Sequence, residues 1–232
     1  MRSTHVDPTR RTAGQYARAT VRRLRMRTLV ALGVLAVATA GLGRAFGLHD
    51  VRFLGSEVAL LVSIFVISRY VLPLVERRDR GATGEEHVGR LLDQLGGRGW
   101  GVIHDASFGN GNVDHIVVGP PGVFTVETKS HPGPIRVSRV HGAVLSQARA
   151  QSAAVGRVTG LQPEPMIVYS RAWVDRPGAR RRGVRIVPAR TLVSYLERQH
   201  EALSREQVHE ARRAIADALL EQTLRTRPRA LR

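Results

Sequence analysis

VDHIVVGPPGVFTVETKS, Val113 to Ser130, decides how the chain is read. Two apolar runs, Val113–Val118 and Val123–Lys129, flank Gly119-Pro-Pro-Gly122. Gly and Pro are the strongest turn formers, so the stretch predicts two strands joined by a tight turn. Residues two apart in a strand share a face. Glu127 and Lys129 therefore lie with Val123 and Thr125, while Asp114 lies with Ile116 and Val118. Two registers are open. With Gly119 opposite Gly122, Asp114 stands opposite Glu127. With the turn centred on Pro121-Gly122, Asp114 stands opposite Lys129 and Glu127 opposite Ile116. Either way Asp114, Glu127 and Lys129 share one side of the sheet, and a one-residue slip would also turn the whole apolar set over.

Directly opposed side chains have Cβ atoms about 5 Å apart, and like charges there are destabilising. Two facing carboxylates need a counter-charge. Oxygen ligands suit a hard divalent cation, and Mg²⁺ commonly takes one or two carboxylates plus water and phosphate. An ammonium beside them could activate a water or steady a developing phosphorane charge. Of the 36 Lys and Arg residues, 35 are Arg, and Lys129 is the only lysine. Its compact, tunable ammonium is something a planar, permanently charged guanidinium does not supply.

Working outward, the flanks read as α/β. A helix is expected over about Gly84–Leu95, with Val88, Leu91, Leu92 and Leu95 as its apolar stripe. Glu85 falls toward the sheet side of that helix and Glu86 away from it. Strands are expected at Trp100–His104, Ile135–Val137, Met166–Tyr169 and Val184–Val187. Helices are expected at His141–Val158, Ala189–His200 and Ser204–Thr223, and Gln147 on the first of these could reach the acidic site. His115 faces away from Asp114 and reads as a packing residue. His104, His131 and His141 lack the H-x-x-x-H spacing of a zinc site. The Phe108-Gly-Asn-Gly-Asn112 segment reads as a turn, with no phosphate-loop lysine. Arg180–Arg182 could grip phosphate or simply be solvated.

Ahead of this domain lie a basic tail, residues 1–27, and two apolar stretches within residues 28–75. They read as transmembrane helices of about 28–48 and 53–75, each near the roughly 20 residues a bilayer needs. Glu57 and Arg69 interrupt the second, and Arg69 is close enough to its end to snorkel. Gly43 and Gly47 form a small-xxx-small pair. Residues 76–80, with Arg77, Arg78 and Arg80, read as a basic linker, and 81–232 as the soluble domain. Cations crowd outside the two spans rather than between them, which by the positive-inside rule puts both termini and the domain in the cytoplasm, at the inner (plasma) membrane.

The formal charge is +17, from 36 basic and 19 acidic residues. Residues 1–75 contribute +8 (11 basic, 3 acidic) and residues 76–232 contribute +9 (25 basic, 16 acidic). Both parts favour polyanionic partners, nucleic-acid backbone or anionic lipid. The absence of cysteine excludes disulfides and thiolate metal sites. Aromatic residues are only 5% of the chain, which argues against a stacking platform for single strands.

GATGEEHVGRLLDQL, VDHIVVGPPGVFTVETKS and SQARAQSAAV together resemble the nuclease-related domain (NERD) family, which is assigned to the PD-(D/E)XK or restriction-endonuclease-like superfamily. The resemblance covers about residues 81–220 and is densest from Asn112 to Lys129. It implies a mixed central sheet flanked by helices. It also implies Mg²⁺ (or Mn²⁺) held by Asp114 and Glu127 with support from Glu85, Lys129 orienting the nucleophilic water, and Gln147 completing the site. The implied activity is hydrolysis of phosphodiester bonds in nucleic acid, DNA first. A catalytically inactive, membrane-anchored DNA-binding or scaffold module of the same fold is the alternative. The sequence departs from the superfamily pattern at Val113, where a proline is usual, and at Ser130 after the lysine.

Overall fold

The computed structural model describes Ala13 and residues 15–46, 51–97, 99–108 and 111–226. Residues 1–12 and 14 of the basic tail, the link at residues 47–50, residue 98, residues 109–110 of the glycine-rich turn and residues 227–232 lie outside the described residues. The described residues divide into two compact units, a larger one from Gly81 onward and a smaller one, Tyr16–Arg80.

The smaller unit is helical. It contains α1 (Gln15–Phe46), α2 (Val51–Val66), one π-helical turn (Ile67–Val71) and the start of α3 (Leu72–Asp93). Two helical stretches, Arg18–Ala45 and Leu54–Asp93, are long and apolar enough by length and composition to cross a membrane. Their apolar side chains are turned outward: Val37 is 74% exposed and Leu61 66%. The basic linker expected at residues 76–80 is helical instead, because nothing in that stretch interrupts the backbone ladder before Gly81.

The larger unit is built on a six-stranded mixed sheet in the order β1-β2-β3-β5-β8-β7. Its strands are β1 (Gly101–Ser107), β2 (Asn112–Gly119), β3 (Gly122–Lys129), β5 (Glu164–Tyr169), β7 (Arg180–Arg181) and β8 (Val184–Pro188). Strands β1 to β3 run antiparallel, β3, β5 and β8 parallel, and β7 antiparallel to β8. A separate parallel pair joins β4 (Gly133–Ile135) to β6 (Ala172–Val174). The short strand expected at Ile135–Val137 ends at Ile135, and Val137–Arg139 make a 3₁₀ turn. Strands β6 and β7, with three and two residues, are too short for an alternation to register in the sequence.

Helices cover both faces. On one face α3 and α5 (Leu192–Glu197) pack Val88, Leu92, Leu192 and Leu196 over Val117, Val126, Met166 and Val168. The expected helix from Ala189 opens instead with a 3₁₀ turn, Ala189–Thr191. On the other face lie α4 (Gly142–Thr159) and α6 (Arg205–Thr226). Leu145 and Ala148 of α4 cover Ile167 and Ile186, while Ile215 and Leu219 of α6 pack with Ile103, Ile116 and Val123. This is the helix-flanked mixed sheet that the resemblance implied.

The hairpin between β2 and β3 closes with Gly119 opposite Gly122. That selects the first of the two open registers and excludes the one pairing Asp114 with Lys129. Gly122 has φ of +141°, outside the range of most L side chains. A Cβ on Gly119 would collide with the Trp100 ring. The Pro120 carbonyl accepts from Ala202 N (2.8 Å) and Leu203 N (2.9 Å), tying the turn to the segment leading into α6.

Candidate active site

The β2–β3 ladder pairs His115 with Val126, and one further step sets Asp114 beside Glu127. Asp114 Oδ2 accepts from the Thr128 backbone N–H at 2.7 Å, so the peptide between Glu127 and Lys129 holds it in place. Glu127 is 3% exposed, and both its oxygens carry donors. Oε1 takes Lys129 Nζ at 2.5 Å and Gln147 Nε2 at 2.8 Å. Oε2 takes Gln151 Nε2 at 2.5 Å. A carboxylate this deep is tolerable only when so supplied.

Helix α4 brings both glutamines. Gln147 and Gln151 are one turn apart on the same face, directly over β3. Gln151 also donates to the Asn112 carbonyl at 2.8 Å, joining α4 to the start of β2. The sequence reading named Gln147 and missed Gln151. The signal was there in the i, i+4 spacing within SQARAQSAA.

A further acid joins the row. Continuing the β1–β2 register, Asp105 falls opposite Asp114, although no bridge forms at that step. Asp105 is 4% exposed and has φ of +51°, an uncommon conformation for a residue with a side chain. Asn112 Nδ2 donates to its Oδ1 at 3.0 Å. Asp105, Asp114 and Glu127 thus cross three adjacent strands in one row. Strained residues gather where function over-determines the backbone.

Glu85 reaches the site from α3. Gly84 lies so close to the ends of β3 and β5 that a Cβ there would stand 2.7 Å from Ser170 Oγ and 2.9 Å from Ser130 Cβ. That approach sets the next residue, Glu85, within the field of Asp105, Glu127 and Lys129. Burial first, then Asp105 and Glu127, push the Glu85 carboxyl up to about 7, against the pull of Lys129. Asp114 is likewise pushed well above the ordinary carboxylate range by burial, Glu127 and Glu85, opposed by the Thr128 N–H and Lys129. Both shifts describe carboxyls that burial first, and neighbouring acids second, hold against ionisation. Among the described residues no three Asp, Glu or His side chains are grouped closely enough to cage an ion by themselves. The donor set that fits a hard cation is the two-carboxylate kind, completed by water and phosphate.

Beside Lys129 a cleft of about 690 Å³ opens, lined among others by His131, Arg136, Arg139, His141 and Tyr169. Arg136 and Arg139 are exposed cations on its wall. Of the basic loop Arg180–Arg182, two residues are engaged within the fold and Arg182 is exposed. Arg180 pairs with Glu164 at 2.7 Å, and Arg181 donates to the Val137 carbonyl at 3.0 Å. His115 is fully buried on the reverse face of β2, its Nδ1 2.9 Å from that of His104, whose Nε2 meets Asp93 Oδ1 at 3.0 Å.

The helix-flanked mixed sheet thus carries Asp114, the Glu127-Thr128-Lys129 triplet and Glu85 near one another, the arrangement that the resemblance to nuclease-type domains implied. The model of the nuclease-related domain (NERD) family matches residues 80–170. An uncharacterized protein of Bacillus anthracis is 30% identical over 79 residues, 32% of this chain and 37% of that protein, so the chain matches little more than a third of that relative's length. The crystal structure of a repair endonuclease from Pyrococcus abyssi aligns with a TM-score of 0.29 and 15% identity, over 52% of this chain and 46% of its own.

Proposed function

We propose that the chain is a membrane-anchored, divalent-metal-dependent nuclease that hydrolyses phosphodiester bonds of nucleic acid, DNA foremost, on the cytosolic side of the membrane. The observation that carries this reading is the convergence of Asp114, Glu127 and Lys129 on one face at the end of the β2–β3 hairpin. Asp114 and Glu127 would hold Mg²⁺ or Mn²⁺, with Glu85 supporting the ion or its water. The ion would neutralise phosphate charge and acidify water, the chemistry such ions supply in hydrolases.

Each side chain has a task that the geometry supports. Lys129, a lining residue of the cleft whose ammonium rests on Glu127, would orient the attacking water and balance charge on the phosphate. Gln147 and Gln151 fix the Glu127 carboxylate, so that it needs no reorganisation when substrate arrives. Arg136 and Arg139 make contacts to backbone phosphate that carry no sequence information.

Membrane anchoring is supported by the two long apolar helices and their outward-facing side chains, such as Val37 and Leu61. Large contiguous exposed apolar surface signals lipid or partner contact. The placement of arginines outside the spans supports a multi-pass protein of the inner membrane with both termini in the cytoplasm.

The test is cleavage of plasmid and linear DNA by the full chain in detergent with Mg²⁺ or Mn²⁺. Nicking or degradation that EDTA stops, and that Asp114→Ala and Lys129→Ala abolish, is the expected outcome. DNA binding without cleavage, unchanged by either substitution, would favour the scaffold alternative.

A further inference from the structure

The chain is poor in aromatics, yet one of them stands exposed next to a wall residue of the cleft. Among the described residues of Gly81–Arg232, Trp173 is the one exposed Phe, Tyr or Trp, 53% exposed, whereas Trp100 is 8% exposed. An indole left in water has an apolar face with nothing in the fold to cover it. Trp173 lies on β6 between Ala172 and Val174, both buried, so its ring points away from the core. Its partner across the β4–β6 pair is Pro134, and paired residues project from the same side of a sheet. Pro134 is a wall residue of the cleft that also holds Lys129, Arg136 and Arg139. Trp173 itself stands outside the lining of that cleft, next to its Pro134 wall, and the cations of the lining are Lys129, Arg136 and Arg139, of which Lys129 bonds Glu127 of the acidic site.

We infer that Trp173 is a stacking platform for an unpaired base, so that this cleft takes single-stranded nucleic acid or the frayed or overhanging end of a duplex. The inference rests on the nuclease reading for its substrate class and adds the strandedness. Cations on the cleft wall follow a phosphate backbone, and an aromatic beside them binds a base by its π-face, which every base has. Inside a blunt duplex those faces are covered by neighbouring base pairs, leaving Trp173 nothing to stack on. The low overall aromatic content does not exclude such a site, because one well-placed ring suffices.

The experiment is binding by the full chain in detergent, in EDTA so that no turnover intervenes. The probes are a single-stranded oligothymidylate, a blunt duplex, and duplexes with a 3′ or a 5′ overhang. Single strand should quench the fluorescence of wild-type protein, and Trp173→Phe should remove that quench, since buried Trp100 is the remaining tryptophan. By anisotropy of labelled probes, Trp173→Ala should weaken single-strand and overhang binding roughly ten- to a hundredfold. Trp173→Phe should keep most of that affinity, and blunt-duplex binding should be unchanged in both. The overhang that gains most from Trp173 identifies which end enters. An unquenched signal, unchanged single-strand affinity in Trp173→Ala, or equal weakening for blunt duplex would each overturn the inference. The two readings fail separately. Stacking intact with no Mg²⁺-dependent cleavage sinks the nuclease alone; cleavage that needs Asp114, with Trp173→Ala binding like wild type, sinks the platform alone.

Discussion

Glu127 draws donors from Lys129, Gln147 and Gln151, and this network makes sharp demands on single residues. Gln151→Leu would leave Glu127 Oε2 without its amide donor in a buried setting, and the loss should cost about 1–3 kcal/mol in urea denaturation. Lys129→Arg keeps the positive charge but not the compact ammonium, and single-turnover cleavage should slow by about a hundredfold or more. A retained rate would show that charge alone suffices at this position. The shared face of Asp114 and Glu127 was legible in the sequence, because Gly-Pro-Pro-Gly leaves few registers and each keeps both acids on one side; which register pairs them was decided only by the fold. Gln151 was harder to see, since a polar residue one turn from another looks like the solvated side of an amphipathic helix until α4 is seated over β3. Asp105 was not legible at all. It lies past the expected strand end at His104, and an isolated aspartate there carries no pattern that marks a φ of +51° or a place in the acidic row.

At the level of elements, the approach of α3 to the ends of β3 and β5 decides whether Glu85 shares the site. Gly84→Ala puts a methyl against Ser170 and Ser130, so the helix must shift. Overpacking of this kind costs about 1–3 kcal/mol, and cleavage should fall further than stability because Glu85 moves with the backbone. Gly81→Ala is the control. A Cβ there meets nothing within 4 Å, and the change should leave cleavage intact and add up to about 1 kcal/mol through helix propensity. The two glycines are also why the sequence misplaced the start of this helix. Both read as boundaries, whereas Gly81 is a tolerated interior residue and Gly84 a close-contact point. The long strands and α4 were legible from their periodicity. Strands β6 and β7 carry no local pattern and form only because β4 and β8 are there to pair with.

For the whole molecule, acid should be destabilising through His115. Burial, and then the neighbouring His104, lower its pKa from 6.5 to about 3, so the fold holds it neutral. The unfolded chain takes up that proton near pH 6.5. The stability due to neutral His115 is therefore complete above pH 6.5 and is lost as pH falls toward about 3, by an amount on the order of a few kcal/mol. Acidification across this range should lower the urea midpoint less, relative to pH 7, in His115→Leu, which cannot titrate, than in wild type; the raised carboxyls of Glu85 and Asp114 act in the opposite sense in both proteins. Orientation in the membrane is testable because the chain has no cysteine. A single cysteine at Arg77 should resist an impermeant thiol reagent in intact cells and react after lysis; labelling in intact cells would reverse the topology. The claim underneath everything else is that Asp114 and Glu127 share a divalent cation. Its most direct measurement is Mn²⁺ binding, followed by electron paramagnetic resonance, to the full chain with a non-hydrolysable DNA oligonucleotide. The account predicts bound Mn²⁺ in wild type that Asp114→Ala loses while remaining folded. Equal Mn²⁺ binding by both proteins, or none by either at millimolar concentration, would contradict it.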